Sequence, residues 1–154
     1  MPASRFEVQD WMTPAPETVD PDCTVAMARR TMDAGGFRHL PVVEQGRVIG
    51  IVSDRDLRSI WPSAAAPAGR KDVEDHLLRL TVRQVMTQKP LVVGPHTSLA
   101  DAARLLVDHG VGALPVLAGD EIVGILSESD ALRALMSVLT LIQGSRRTNE
   151  VWQQ

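Results

Sequence analysis

Cysteine is nearly absent from this 154-residue chain, Cys23 being the single one. That excludes an internal disulfide and any multi-cysteine metal site, so nothing points to an oxidising compartment and Cys23 reads as a small buried apolar residue. Long apolar runs are missing too. The longest late one, residues 134–142, is interrupted by Ser137 and Thr140 and falls far short of the roughly 18 residues that a membrane-spanning helix needs. The N-terminal residues mix Arg5, Glu7 and Asp10 with apolar ones, leaving no apolar core of signal-peptide length. An excess of positive charge is also lacking. The formal net charge is -3 with Lys and Arg scattered, so there is no electrostatic footprint for nucleic acid or an anionic membrane. A soluble, cytoplasmic protein without nucleic-acid or membrane partners is expected. Catalytic signatures are equally sparse: His76, His96 and His109 have no Asp, Glu or Cys at ligand spacing. No nucleophile, base and orienting group, phosphate loop or nucleophile elbow can be assembled.

What the chain does contain is a repeat. Shifting it against itself by 74 positions aligns residues 8–59 with residues 82–133 without a gap. Met12-Thr13 falls on Met86-Thr87, Pro16 on Pro90, Pro21 on Pro95, Gly36 on Gly110, and Leu40-Pro41-Val42 on Leu114-Pro115-Val116. With 44% apolar residues the length suffices for one domain or two small subdomains with a core. The expected division is repeat one at 8–60, a linker at 61–81, repeat two at 82–142 and a tail at 143–154.

Within each repeat, prolines bracket a short extended segment around Thr18 and Val19, or Val92 and Val93. A helix follows. Ser98 with Asp101 forms a capping box, and Leu99, Ala102, Ala103 and Leu106 recur at helical spacing; Thr24, Val25, Ala28 and Met32 do the same in the first copy. Gly35-Gly36 and Gly110 end these helices. Two nearly continuous apolar strands come next, residues 40–43 and 48–53, then 114–117 and 122–127, the pattern of strands covered on both faces. Closing helices at 55–60 and 129–142 complete a β-α-β-β-α unit, and a further short helix is expected over 73–80 with Asp72 as its cap. A unit of this size cannot bury its sheet alone, so the expected fold class is α+β, with two units packed sheet to sheet about a pseudo-two-fold axis.

The stretch Gly50-Ile51-Val52-Ser53-Asp54-Arg55-Asp56 and its echo Gly124-Ile125-Leu126-Ser127-Glu128-Ser129-Asp130 carry the candidate chemistry. The Gly lets a ligand or another backbone come close. The Ser hydroxyl, the free N–H groups at the helix start and the Asp carboxylate converge, offering donors to a phosphate and an acceptor to sugar hydroxyls. Ser-x-x-Asp is also an ordinary helix capping box, and both readings stand at this point.

At Val-x-x-x-Met-Thr (residues 8–13 and 82–87), the Leu-Pro-Val strand starts and the Gly-apolar-apolar-Ser-x-x-Asp endings, the sequence resembles a tandem pair of CBS domains, or Bateman module. Asp56-Leu57-Arg58, the Trp-Pro-Ser linker and Ser-Glu-Ser-Asp before a long apolar helix are most similar to bacterial stand-alone proteins of the acetoin-utilisation type. The resemblance implies a non-catalytic sensor binding AMP, ADP, ATP or an S-adenosylmethionine derivative in clefts between the repeats, with no obligatory cofactor. It implies that Asp56 and Asp130 hold ribose hydroxyls, and that Ser53 and Ser127 bond the ribose or phosphate. The backbone near Thr18, Val19, Val92 and Val93 would read the adenine edge, Ile51 and Ile125 would line its slot beside Gly50 and Gly124, and basic residues before Leu-Pro-Val would meet phosphate.

Here the copies differ. Arg38, His39 and Arg55 stand in the first, Gly112, Ala113 and Ser129 in the second, so one cleft suits a phosphorylated nucleotide better than the other, since phosphate favours Arg or Lys. A homodimer of pairs is expected through the helices at 25–34 and 99–108 and the stripe Leu132, Leu135, Met136 and Leu139, although that stripe also fits a core role within one chain. The alternative function is a structural interaction module whose clefts stay empty.

Overall fold

The computed structural model describes residues 6–60 and 70–150. In chain order the elements are β1 (Thr13–Pro14), α1 (Val25–Gly35), β2 (His39–Glu44), β3 (Arg47–Ser53), α2 (Asp54–Ile60), α3 (Arg70–Leu77), α4 (Val82–Val85), β4 (Thr87–Gln88), α5 (Leu99–His109), β5 (Ala113–Ala118), β6 (Glu121–Ser127) and α6 (Glu128–Glu150). Local chemistry sets the ends of the two central helices. Thr24 Oγ1 accepts from the Met27 N–H at 3.1 Å, and Ser98 Oγ from the Asp101 N–H at 3.1 Å, which satisfies a donor that the helix itself leaves open. Gly36 and Gly110 close them at φ of 69° and 62°, where a side chain would be strained.

The result is an α+β fold with two three-stranded antiparallel sheets, ordered β2-β3-β4 and β1-β6-β5. Each sheet is completed by a strand from the other repeat. Thr13 and Pro14 pair with Ile125 and Gly124, while Thr87 and Gln88 pair with Ile51 and Gly50. The exchange extends into the cores. Val8 is buried with Val93, Leu99, Leu106, Leu114 and Leu126, and Val82 with Val19, Val25, Met32, Leu40 and Leu57. Even the helix starts are served across the repeat boundary, because the Leu99 N–H donates to the Phe6 carbonyl and the Val25 N–H to the Leu80 carbonyl. The packed unit is therefore one repeat plus the leading segment of the other. The Val-x-x-x-Met-Thr motif is what is exchanged.

Several sequence expectations are corrected. The extended segments at 18–19 and 92–93, the first strand of each expected β-α-β-β-α unit, are single bridges only: Val19 and Val93 each make one isolated parallel bridge, to Val42 and Val116. The helix expected over 73–80 spans Arg70–Leu77, while residues 61–69 of the expected linker at 61–81 lie outside the described residues. Helix α6 runs to Glu150 instead of stopping near 142, because a glycine such as Gly144 costs a helix only about 1 kcal/mol relative to Ala and does not break it. Strands β3 and β6 lie against each other between the sheets. At one end of this contact Arg47 pairs with Asp120 at 2.9 Å, and at the other His39 meets Gly112. No helix among the described residues is long and apolar enough to cross a membrane.

Candidate functional site

Both Ser-Asp pairs sit where an inner strand hands over to a helix, and each is a closed capping box. Asp56 Oδ2 accepts from the Ser53 N–H at 2.9 Å and from its hydroxyl at 2.7 Å, while Ser53 Oγ accepts from the Asp56 N–H at 3.0 Å. In the second copy Asp130 Oδ2 accepts from the Ser127 N–H and hydroxyl, both at 2.8 Å. The geometry locks each carboxylate at the helix start.

The second carboxylate oxygen separates the copies. Asp130 is 3% exposed, and its Oδ1 takes Arg133 Nη1 at 2.6 Å. Asp56 is only partly buried, and its Oδ1 has no partner among the described residues. The residue corresponding to Arg133 is Ser59, whose hydroxyl donates instead to the Asp56 main-chain carbonyl at 2.7 Å.

Around Asp56 the structure collects charge from both repeats. The His39 imidazole is held below its usual pKa, first by burial and then by the positive charge of Arg38, with Arg55 pushing the same way and Glu128 and Asp56 pulling upward. These four groups thus lie within electrostatic reach of one ring. His39 also crosses the boundary between repeats: a Cβ placed on Gly112 would stand 2.7 Å from its Nε2, so the second copy's Gly112 makes room for the first copy's histidine. Arg38 and Arg55 are exposed and form no ion pair among the described residues. The nearby Asp54 is taken by Arg29 at 3.5 Å and by Arg58.

Other expected site residues are placed differently from the sequence reading. The space above Gly50 is filled by the Met86 side chain, with the Thr87 carbonyl at 3.1 Å from a Cβ built there, and that above Gly124 by Met12. These glycines admit the exchanged methionines, so close ligand approach is not what requires them. Val19 and Val93 commit both main-chain groups to β2 and β5: the Val19 N–H donates to Pro41 at 3.0 Å and its carbonyl accepts from Val43 at 3.0 Å, with Val93 bonded likewise to Pro115 and Leu117. Beside them Thr18 is half-buried and Val92 exposed. Ile51 lies between Pro41 and Thr87 in its sheet, Ile125 between Pro115 and Thr13. Sequence reasoning missed Glu128, Arg133, Met12 and Met86 as neighbours of the site. Arg133 had a usable signal, since it lies three residues beyond Asp130 on one helix face; the others had none. Among the described residues no group of three or more His, Cys, Asp or Glu is arranged to hold a metal.

Two sequence repeats, exchanged leaders and one polar helix start per sheet define a tandem-repeat module. The CBS domain family model matches residues 8–62 and 82–137, and the chain belongs to that family as a tandem pair. It is 32% identical over 134 residues to a CBS domain-containing protein of Dictyostelium discoideum, covering 86% of this chain and 92% of that one. To the CBS domain-containing protein YhcV of Bacillus subtilis it is 31% identical, covering 80% and 81%. The structure of a Vibrio cholerae protein assigned to acetoin utilization (AcuB) superposes with a TM-score of 0.72 at 29% identity, covering 90% of this chain and 96% of that one. That of CBSX2 in complex with AMP gives 0.70 at 31%, covering 86% and 98%.

Proposed function

We propose that this protein is a non-catalytic regulatory module of the cytoplasm that binds an adenosine nucleotide between its repeats and works as a dimer of such pairs. The observation that carries the reading is the open carboxylate of Asp56, whose Oδ1 has no partner among the described residues. Asp56, Arg38 and Arg55 all lie within electrostatic reach of the partly buried His39, which meets Gly112 of the other repeat, and the two arginines form no ion pair among the described residues. A 5′-phosphorylated adenosine matches this charge, since guanidinium groups recognise phosphate through paired, charge-assisted hydrogen bonds. The AMP complex of CBSX2, at 31% identity, supports the same ligand class. The Asp130 cleft, with its carboxylate held by Arg133 and no cation at Gly112 or Ala113, is the weaker of the two. Nucleotide binding changes the packing of the pair, or its affinity for a partner, by as much as the ligand's preference for one state.

A second reading has its own support. Both Ser-Asp boxes are satisfied without a ligand, which suits a structural interaction module with empty clefts. Thermal-shift titration with AMP, ADP, ATP and S-adenosylmethionine separates the two. A nucleotide at about 100 times its Kd adds roughly 2.7 kcal/mol, a rise of about 5 to 11 °C for a chain of this size. That rise should vanish in Asp56→Ala and survive in Asp130→Ala. No shift with any of the four, in a protein that melts cooperatively, leaves the interaction module.

A further inference from the structure

Main-chain bonds bring Arg38 and His39 to Asp56. The Asp54 N–H donates to the Arg38 carbonyl at 2.8 Å, and His39 lies opposite Ser53 in the pairing of β2 with β3. The start of β2 is thereby stapled to the start of α2, which sets Arg38 and His39 beside Arg55 and Asp56. In the second repeat the same bond, from the Glu128 N–H to the Gly112 carbonyl at 3.0 Å, sets Glu128 beside Gly112. The His39 ring lies against that pair. A Cβ built on Gly112 would stand 2.7 Å from His39 Nε2 and 3.9 Å from Glu128 Oε2. Of these side chains only the imidazole has an ordinary pKa near neutrality.

We propose that His39 takes up a proton when a phosphorylated nucleotide binds beside Asp56, so that the protein reads pH together with the nucleotide. This rests on the nucleotide reading above. The charges that face the ring are Arg38 before β2, Arg55 and Asp56 on α2, and Glu128 at the start of α6. Two guanidinium groups against two carboxylates leave no net charge, and the nearby Asp54 is already taken by Arg29 and Arg58. Burial then decides, and it favours the neutral ring. A phosphate group carries close to two negative charges at about pH 7. Its arrival at Arg38 and Arg55 turns the surroundings anionic, which favours the imidazolium. The bound phosphate thus gains a third cation that the free protein does not hold. The second repeat has Gly112 and Ala113 at the positions of Arg38 and His39, so its own helix start lacks this exchange.

Calorimetric titration of the parent protein with AMP, and with ADP and ATP alongside, tests the coupling. Two buffers of different ionisation enthalpy give the protons taken up per nucleotide. The parent should take up a fraction of a proton, and its affinity should rise about two- to tenfold between about pH 8 and about pH 7, one coupled proton allowing at most about tenfold per pH unit. The phosphate's own second pKa of about 6 pulls the opposite way, so uptake in this range belongs to the protein. His39→Asn should bind more weakly, with no uptake and a flat profile. Nuclear magnetic resonance reads the same event without a substitution: among the four histidines, the His39 ring should titrate at higher pH with saturating nucleotide. Binding without uptake, uptake that persists in His39→Asn, or a His39 resonance that the nucleotide does not move would overturn the coupling and leave the nucleotide reading intact. Binding of S-adenosylmethionine alone would do the same, since it brings no phosphate. No binding of any of the four, in a protein that melts cooperatively, would overturn the nucleotide reading and the coupling with it.

Discussion

Val8→Ala tests the exchange of leading segments directly. Val8 opens the first repeat in sequence, yet it is fully buried in the core of the second, and its N–H donates to the Thr97 carbonyl at 2.9 Å. Truncation removes the equivalent of two methylenes, about 1.6 kcal/mol of transfer free energy at ~0.8 kcal/mol each. A buried site that collapses only in part adds a cavity cost, which brings the total to roughly 2 to 3 kcal/mol. For a chain of this length the melting midpoint should fall by about 4 to 12 °C. The place of the damage discriminates more sharply than its size. Native-state hydrogen exchange should show lost protection first in α5, β5 and β6, the elements that Val8 packs against. The reciprocal Val82→Ala should weaken α1, β2 and β3. If Val8→Ala instead loosens α1 and β2, or costs less than about 0.5 kcal/mol, the leader packs on its own repeat and the exchanged architecture is wrong.

Two further outcomes follow from the site. Asp56→Ala should cost about 1 kcal/mol, the worth of a helix cap, whereas Asp130→Ala, which also loses the Arg133 bond, should cost about 2 kcal/mol; equal losses in urea melts would contradict the asymmetry of the two boxes. His39, whose pKa is held below 6.5 by burial and Arg38, takes up protons more readily in the unfolded chain, so stability should fall as pH drops through about 6.5 and level off below the folded value. His39→Asn should flatten that limb of the stability curve, and a variant that keeps it would place the titration elsewhere.

Much of this architecture is readable from residues that act locally. The repeat, the helix limits at Thr24, Gly36, Ser98 and Gly110, the two hairpins and the Ser-Asp boxes all depend on contacts within a few positions, so the patterns that specify them are contiguous. The long α6 was misjudged because Gly144 lowers helix propensity without forbidding a helix.

Non-local contacts were the hidden part. The same Val-x-x-x-Met-Thr segment occurs in both repeats, and Gly50 and Gly124 offer it equivalent seats, so no local preference says which sheet each leader joins. The connection of the chain in space makes that choice. Once it is made, Met86 and Met12 fill the glycine gaps, and the two units are tied together through each other's cores. The reach of a side chain across the unit boundary is equally invisible in sequence. Gly112 makes room for His39, and Asp120 pairs with Arg47, only because two hairpins 74 residues apart come to lie side by side. The candidate site residues are thus legible as residue types at a spacing, while which carboxylate keeps an open oxygen depends on what the folded chain has placed against each one.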